Sequence, residues 1–60
     1  MTKLEELRRK AGLTQRELST KSGVSLPTIS KIENGGINTA QGWTLLSLAR
    51  ALNVNVGELF

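Results

Sequence analysis

Four residue types that build many functional sites are missing from this 60-residue chain: cysteine, histidine, aspartate and tyrosine. Without cysteine there is no disulfide framework and no thiolate metal site. A zinc site, an EF-hand calcium loop and a Ser-His-Asp triad are excluded, because the atoms that would form them are absent. We therefore expect no metal and no cofactor. Stability must come from apolar packing and helix capping, with a second subunit as a further source.

Long apolar runs are missing as well. No run approaches the roughly 18 residues of a membrane-spanning helix, and nothing resembles a secretory signal. We therefore expect a cytoplasmic protein. A chain of 60 residues makes at most one domain, so residues 1–60 are predicted to form a single small one.

Positive charge is concentrated in the first half of the chain. The net charge is +3, but residues 1–31 hold seven basic and three acidic side chains, whereas residues 32–60 hold one basic and two acidic ones. A basic half on a small domain suggests a polyanionic partner such as nucleic acid, although the same charge also suits ordinary solubility. Composition alone leaves both interpretations open.

Helix starts are marked by capping signals. Three segments place a capping residue three positions before a glutamate, which is the arrangement of a capping box: Thr2-Lys-Leu-Glu5, Thr14-Gln-Arg-Glu17 and Asn55-Val-Gly-Glu58. Ser25 can cap another helix, and Asn38 or Thr39 a further one. The chain therefore has a candidate start for each of five helices.

Helix ends are marked by glycine. Gly12, Gly23 and Gly35 each fall where a helix would finish in the left-handed conformation that glycine tolerates best. Together with the starts, these ends predict an all-α fold. The five predicted helices cover roughly residues 2–11, 14–22, 25–34, 39–52 and 55–60.

Apolar residues recur at helical spacing along the predicted helices and their connections. We interpret them as one apolar core rather than as a functional surface. The predicted core residues are Leu4, Leu7, Ala11, Leu13, Leu18, Val24, Ile29, Ile32, Leu45, Leu48, Ala49, Leu52, Val54, Val56 and Leu59.

The second and third predicted helices are joined by almost nothing except Gly23 and Val24. So short a joint is typical of a helix-turn-helix. In the third helix, the residues that face away from the apolar side form an exposed ridge. The ridge holds Pro27, Lys31 and Asn34, flanked by Thr28 and Ser30. Small hydroxyls and one long cation suit a DNA major groove, although a helix built only for packing also needs a polar outer face.

The order of these motifs resembles a known family. The stretches "LTQRELS", "SGVS", "TISKIENG" and "LARALNVNVGELF" are similar to those of the Cro/CI family of helix-turn-helix repressors, also called the XRE family. The resemblance covers essentially the whole chain. It implies a compact five-helix, lambda-repressor-like bundle with a helix-turn-helix at helices two and three. It also implies binding to operator DNA, usually as a homodimer on a palindromic site.

The resemblance implies DNA contacts at the start of helix two and along helix three. Gln15 matches a glutamine that grips a phosphate, and the alternative is a residue in contact with solvent only. Lys31 lies where it can donate to guanine O6 or N7, or else contact a phosphate or only solvent. Leu26 either contacts a thymine methyl group or belongs to the core. The full set of implied DNA-binding residues is Gln15, Arg16, Ser25, Leu26, Pro27, Thr28, Ser30, Lys31, Asn34, Asn38 and Thr39.

Two features depart from the family. Amide side chains are common at the first positions of the recognition helix, where this chain has Leu26 and Pro27. Basic residues are common in the loop after that helix, whereas none lies between Glu33 and Arg50 here. Contacts to the DNA backbone from that loop would have to come from main-chain N–H groups and short polar side chains.

Arg8 and Glu33 match a pair of residues that forms an ion pair between helices one and three in many members of the family. We interpret this pair as structural. Truncating one partner of a partly buried pair costs up to about 3–5 kcal/mol.

The single tryptophan, Trp43, falls off the stripe of Leu45, Leu48 and Leu52. An extra core contact is the preferred interpretation. The second interpretation is a subunit interface, because exposed tryptophan favours such sites, and Ile37, Leu46 and Phe60 would extend it.

The leading hypothesis is a transcriptional regulator, repressor-like, that binds a specific double-stranded DNA sequence with the helix at about residues 25–34 in the major groove. The alternative is a protein-interaction module, such as an antitoxin or a controller protein, built on the same helical fold. An enzyme is poorly supported, because glutamates and lysines alone give no general acid–base pair.

Overall fold

The computed structural model describes residues 3–36 and 42–59. Its α-helices are α1 (Lys3–Lys10), α2 (Gln15–Ser22), α3 (Leu26–Lys31) and α4 (Gly42–Leu52). A wide π-helical turn (Ile32–Gly36) continues α3, and a 3₁₀ turn (Val56–Leu59) ends the described chain. These residues contain no strand, so the predicted all-α class is confirmed for them.

The predicted count of five helices is not confirmed. The fifth segment, expected at 55–60, is a 3₁₀ turn of 4 residues and not an α-helix. The predicted start of the fourth helix at residue 39 lies outside the described residues, whose α4 begins at Gly42. Helix three, predicted over 25–34, is an α-helix over Leu26–Lys31, and Ile32 keeps α-helical angles. The helical path ends at Asn34, with φ −91° and ψ 17°, and at Gly35, with a left-handed φ of 99°.

The predicted capping box at Thr14 is confirmed on both sides. The Glu17 backbone N–H donates to the Thr14 hydroxyl at 3.0 Å, and the Thr14 backbone N–H donates to the Glu17 carboxylate at 2.8 Å. At Asn55, the backbone N–H donates to the Glu58 carboxylate at 2.9 Å, which is one of the two bonds of a capping box. Thr2 lies outside the described residues. Two N–H groups that begin α2 are therefore satisfied by side chains.

Ser25 occupies the capping position of α3 but makes no capping bond to the backbone. Its hydroxyl lies 2.7 Å from the hydroxyl of Thr28 instead. The expectation that Ser25 caps this helix through its side chain is therefore wrong, because the nearby hydroxyl takes the place of a backbone N–H.

One apolar cluster holds the described helices together. Its buried members are Leu4, Leu18, Val24, Ile29, Ile32, Leu45, Leu48, Ala49, Ala51, Leu52 and Leu59, with Leu7, Leu13 and Val54 packed against them. Thr44 is buried as well. Helix α4 packs on α2, the 3₁₀ turn packs on α1 and α4, and α3 packs on α2. This arrangement buries one side of α3 and fixes its outward side.

Two predicted core residues are exposed. Ala11 lies in the turn after the last residue of α1, and Val56 begins the 3₁₀ turn with 40% of its surface exposed. Ala51 is buried although the sequence pattern did not assign it to the core. Ala11 lies after the end of α1 and Val56 lies outside any α-helix, so the 3.6-residue period of an α-helix does not predict which way they face.

The joint between α2 and α3 is built around Gly23. Its φ is 77°, and its N–H donates to the Ser19 carbonyl at 2.9 Å. Val24 follows and is buried, while the Ser19 hydroxyl donates to the Val24 carbonyl at 2.6 Å. The left-handed ends predicted at Gly12 and Gly35 are also confirmed. The joint is thus fixed by one glycine conformation, one buried valine and short hydrogen bonds.

Within residues 3–36 and 42–59, no helix has the length and apolar character required to cross a membrane.

We predict that Gly23→Ala destabilises the domain by about 1–2 kcal/mol, because an L-residue is strained at a left-handed φ. Gly57→Ala is the matched control, since a Cβ at either position meets nothing within 4 Å. Of these two glycines, Gly23 has a left-handed φ and Gly57 does not. Urea unfolding followed by circular dichroism measures both variants. Equal midpoints for the two variants would show that the conformation of Gly23 does not constrain the joint.

Candidate nucleic-acid interface

The outward ridge of α3 has the exposure that the sequence predicts. Pro27, Lys31 and Asn34 are exposed, whereas Ile29 and Ile32 on the opposite side are buried. Thr28, Ser30 and Leu26 are half-buried at the flanks, and Leu26 is not a member of the buried core. The ridge therefore exposes an apolar ring, a cation and an amide.

The hydroxyls beside the ridge are paired with each other. Ser25 is exposed, in an extended conformation with φ −62° and ψ 147°, and its hydroxyl meets that of Thr28 at 2.7 Å. One O–H of the pair is the donor, so the other O–H remains able to donate elsewhere. The two side chains thus hold each other at the start of α3.

At the start of α2, Gln15 is half-buried and Arg16 is exposed. The Gln15 side-chain amide donates to Oε1 of Glu33 at 2.9 Å. An amide nitrogen carries two N–H groups, so one remains for another acceptor. Gln15 therefore links the first turn of α2 to the end of α3. No sequence pattern indicated this contact, because the two residues are 18 positions apart and in different elements.

The predicted ion pair between Arg8 and Glu33 is confirmed. Arg8 Nε lies 2.7 Å from Oε2 of Glu33, and Nη2 lies 3.2 Å from Oε1. Nη1 donates to the Leu13 carbonyl at 2.8 Å. The two charged residues are 9% and 7% exposed. Such a forked arrangement uses the planar geometry of arginine, which lysine cannot reproduce.

The hydrogen bond to Glu33 raises the pKa of Arg8 above its usual value, and this effect outweighs the opposing effect of burial. A cation whose pKa is raised by folding stabilises the fold at every pH below its unfolded-state pKa and loses that contribution only as the pH rises past it. For an arginine, the pH at which this contribution is lost lies far above neutral. Arg8 therefore stays charged wherever the domain is used.

Arg8, Glu33 and Gln15 form a network that we call the buried brace. It joins the last part of α1, the first residue of α2 and the turn that ends α3. No polar side-chain atom that is buried within the described residues lacks a hydrogen-bond partner. The buried brace therefore fixes the two helices that would contact DNA relative to α1.

The exposed cations around this surface differ in their partners. Arg9 pairs with Glu5 at 2.9 Å along α1. Arg16 lies beside Gln15, and Lys31 lies on the ridge. The two candidate loop residues, Asn38 and Thr39, lie outside the described residues.

Trp43 does not extend the core, so the preferred interpretation of its role is wrong. It is 61% exposed, and Leu46, one turn later on α4, is 46% exposed. The buried side of α4 already holds Leu45 and Leu48. At about 100° per residue, Trp43 and Leu46 lie opposite that side. Together they form an outward apolar stripe, while Ile37 and Phe60, the other predicted members, lie outside the described residues.

A helix-turn-helix family model matches residues 4–59 of the chain. The match includes α2, α3, the buried brace and the 3₁₀ turn. No solved structure matches.

Two relatives carry names that describe regulators. The chain is 49% identical over 51 residues to the uncharacterized HTH-type transcriptional regulator RghRB of Bacillus subtilis, covering 85% of this chain and 37% of that protein. It is 37% identical over 59 residues to an uncharacterized HTH-type transcriptional regulator of Archaeoglobus fulgidus, covering 98% of this chain and 83% of that protein. The chain thus spans well under half of the Bacillus relative.

We predict that Arg8→Ala destabilises the domain by about 3–5 kcal/mol, because it leaves the Glu33 carboxylate buried without its cation. The neighbouring Arg9→Ala removes the same side chain from an exposed pair and should cost less than about 0.5 kcal/mol. Urea unfolding compares the two variants. A difference below about 1 kcal/mol would contradict the structural role of the brace.

Proposed function

The chain belongs to the XRE-type helix-turn-helix family, and from this premise we propose that it binds a specific double-stranded DNA sequence and represses transcription. The family consists of DNA-binding proteins that are not enzymes. The observation that carries the proposal is the ridge of α3, which is exposed, singly basic and held in place from behind by the buried brace. In this proposal residues 1–60 are one DNA-binding domain.

The ridge enters the major groove. Lys31 is exposed near the end of α3 and donates to guanine O6 or N7. Pro27 and Thr28, at the start of the same helix, face the edges of the bases. Repression follows when the bound domain occupies DNA that polymerase needs.

The ends of α2 and α3 hold the DNA backbone. The free N–H of the Gln15 amide, the cation of Arg16 and the Asn34 side chain contact phosphates beside the end of the ridge where Gln15 bonds to Glu33. The hydrogen bond from Gln15 to Glu33 sets the direction of the amide, so this phosphate contact is prepared before DNA binds. The remaining proposed DNA-binding residues are Ser25, Leu26, Ser30, Asn38 and Thr39.

Two copies bind together on a palindromic operator. The outward stripe of Trp43 and Leu46 supports a homodimer, because large exposed apolar side chains are enriched at subunit interfaces. A symmetric dimer would place its two ridges about 34–36 Å apart, one turn of DNA. Phe60 is proposed as a further part of this interface.

A second candidate function is a protein-interaction module, such as an antitoxin or a controller protein. The same stripe of Trp43 and Leu46 favours it, since a different protein could cover these side chains. The two functions differ in the role of Lys31, which matters only if DNA is the partner.

The DNA-binding proposal is tested by selecting bound duplexes from a random pool. We expect the wild-type domain to enrich one sequence. Lys31→Ala should relax the base choice at one position, with a loss of about 1–3 kcal/mol of discrimination. Gln15→Ala should weaken binding to all duplexes alike, because it removes a phosphate contact.

Lys3→Ala is the matched control for this selection, since it removes the same charge from an exposed position on α1. It should leave the selected sequence unchanged. A wild-type pool without enrichment would favour the interaction module over the regulator.

The dimer is tested by sedimentation over a range of protein concentrations. Trp43→Ala should raise the dissociation constant of the dimer by at least about 30-fold, as is typical of a central interface residue. Lys3→Ala, which lies on α1, should leave the constant unchanged. A wild-type domain that stays monomeric up to millimolar concentration would contradict the homodimer.

A further inference from the structure

The first turn of α3 lacks the side chains that read bases most often. Its first outward residue is Pro27, which is exposed and has neither a donor nor an acceptor on its side chain. Leu26 beside it is half-buried and equally apolar. This pair, the apolar tip, occupies the part of the ridge that precedes Lys31.

The nearby hydroxyls do not replace the missing polar groups. Ser25 and Thr28 flank the apolar tip in the sequence, and their hydroxyls are held together at 2.7 Å. A hydroxyl held by its neighbour has less freedom to seek a base edge, and its neighbour already satisfies part of its hydrogen-bonding capacity. The apolar tip is therefore the main feature that this part of α3 offers to a ligand.

Base edges in the major groove offer one apolar group. It is the C5-methyl group of thymine, while every other feature there is a hydrogen-bond donor or acceptor. A proline ring placed against a donor or acceptor would remove it from water without replacing its hydrogen bond. A proline ring placed against a methyl group removes apolar surface of both from water.

Lys31 lies one helical turn after Pro27, on the same side of α3. Residues four apart on a helix have Cβ atoms about 5–6 Å apart, and successive base pairs are about 3.4 Å apart. A thymine below the proline and a guanine below the lysine therefore lie within about two base pairs of each other.

We propose that Pro27 is a specificity-determining residue that selects thymine through its methyl group, within two base pairs of the guanine that Lys31 selects. This inference rests on the proposed function. It adds the chemistry of the operator, because each half-site then carries a thymine at the base that Pro27 contacts. Relatives with an amide side chain at this part of the helix would instead contact a base through hydrogen bonds.

The test replaces each thymine of the selected duplex by uracil, one at a time, which removes only the methyl group. At one thymine in a half-site, uracil should weaken wild-type binding about fourfold, the effect of one buried methyl group. Pro27→Ala removes the ring carbons beyond Cβ and should lose most of this fourfold preference at that position. Lys31→Ala should keep the fourfold preference while losing its choice of guanine. Thermal unfolding confirms that each variant is folded, and alanine is well suited to a helix at this position.

The outcomes separate this inference from the proposal beneath it. A selected duplex whose thymines all tolerate uracil overturns the role of Pro27 and leaves DNA binding intact. A uracil penalty that remains fourfold in Pro27→Ala also overturns it, since another group then reads the methyl. If no sequence is enriched, the proposed function and this inference fail together.

Discussion

The charge pair of Arg8 and Glu33 is the interaction on which the rest of the domain depends. A buried carboxylate needs a cation and hydrogen bonds, and here the arginine fork and the Gln15 amide supply both. Because the three residues belong to α1, the end of α3 and the start of α2, satisfying one charge also fixes three elements. A chain of 60 residues has little apolar core, so a polar contact that specifies geometry matters more here than in a larger protein.

The joint at Gly23 and the ridge of α3 act with this pair. Gly23 ends α2 in a left-handed conformation and Val24 anchors the corner in the core, so the chain turns without a flexible linker. The buried side of α3 then holds Ile29, and the opposite side stays exposed. The conformation of Gly23, the packing of the core and the buried charge pair together fix the orientation of the ridge. A helix that binds in a groove of DNA requires such a fixed orientation.

Much of this could be predicted from the sequence, because helix caps, glycine ends and helical periodicity are local signals. The capping box at Thr14, the left-handed Gly23 and the pair of Arg8 with Glu33 were all predictable, the last by resemblance alone. The bond from Gln15 to Glu33 was not, since nothing local links residues 18 positions apart. The exposure of Trp43 was missed because a tryptophan off the apolar stripe fits either a core edge or a surface, and only packing decides between them.

Under the proposed function, the alternation of Pro27 and Lys31 with Ile29 along one short helix separates recognition from folding. The outward side chains contribute little to the core, and exposed substitutions away from special contacts usually change stability by less than about 0.5 kcal/mol. Evolution can therefore vary the target of such a domain at these positions while its architecture stays constant. The same separation makes the surface a convenient scaffold for engineered retargeting, in which new contacts are introduced without rebuilding the interior.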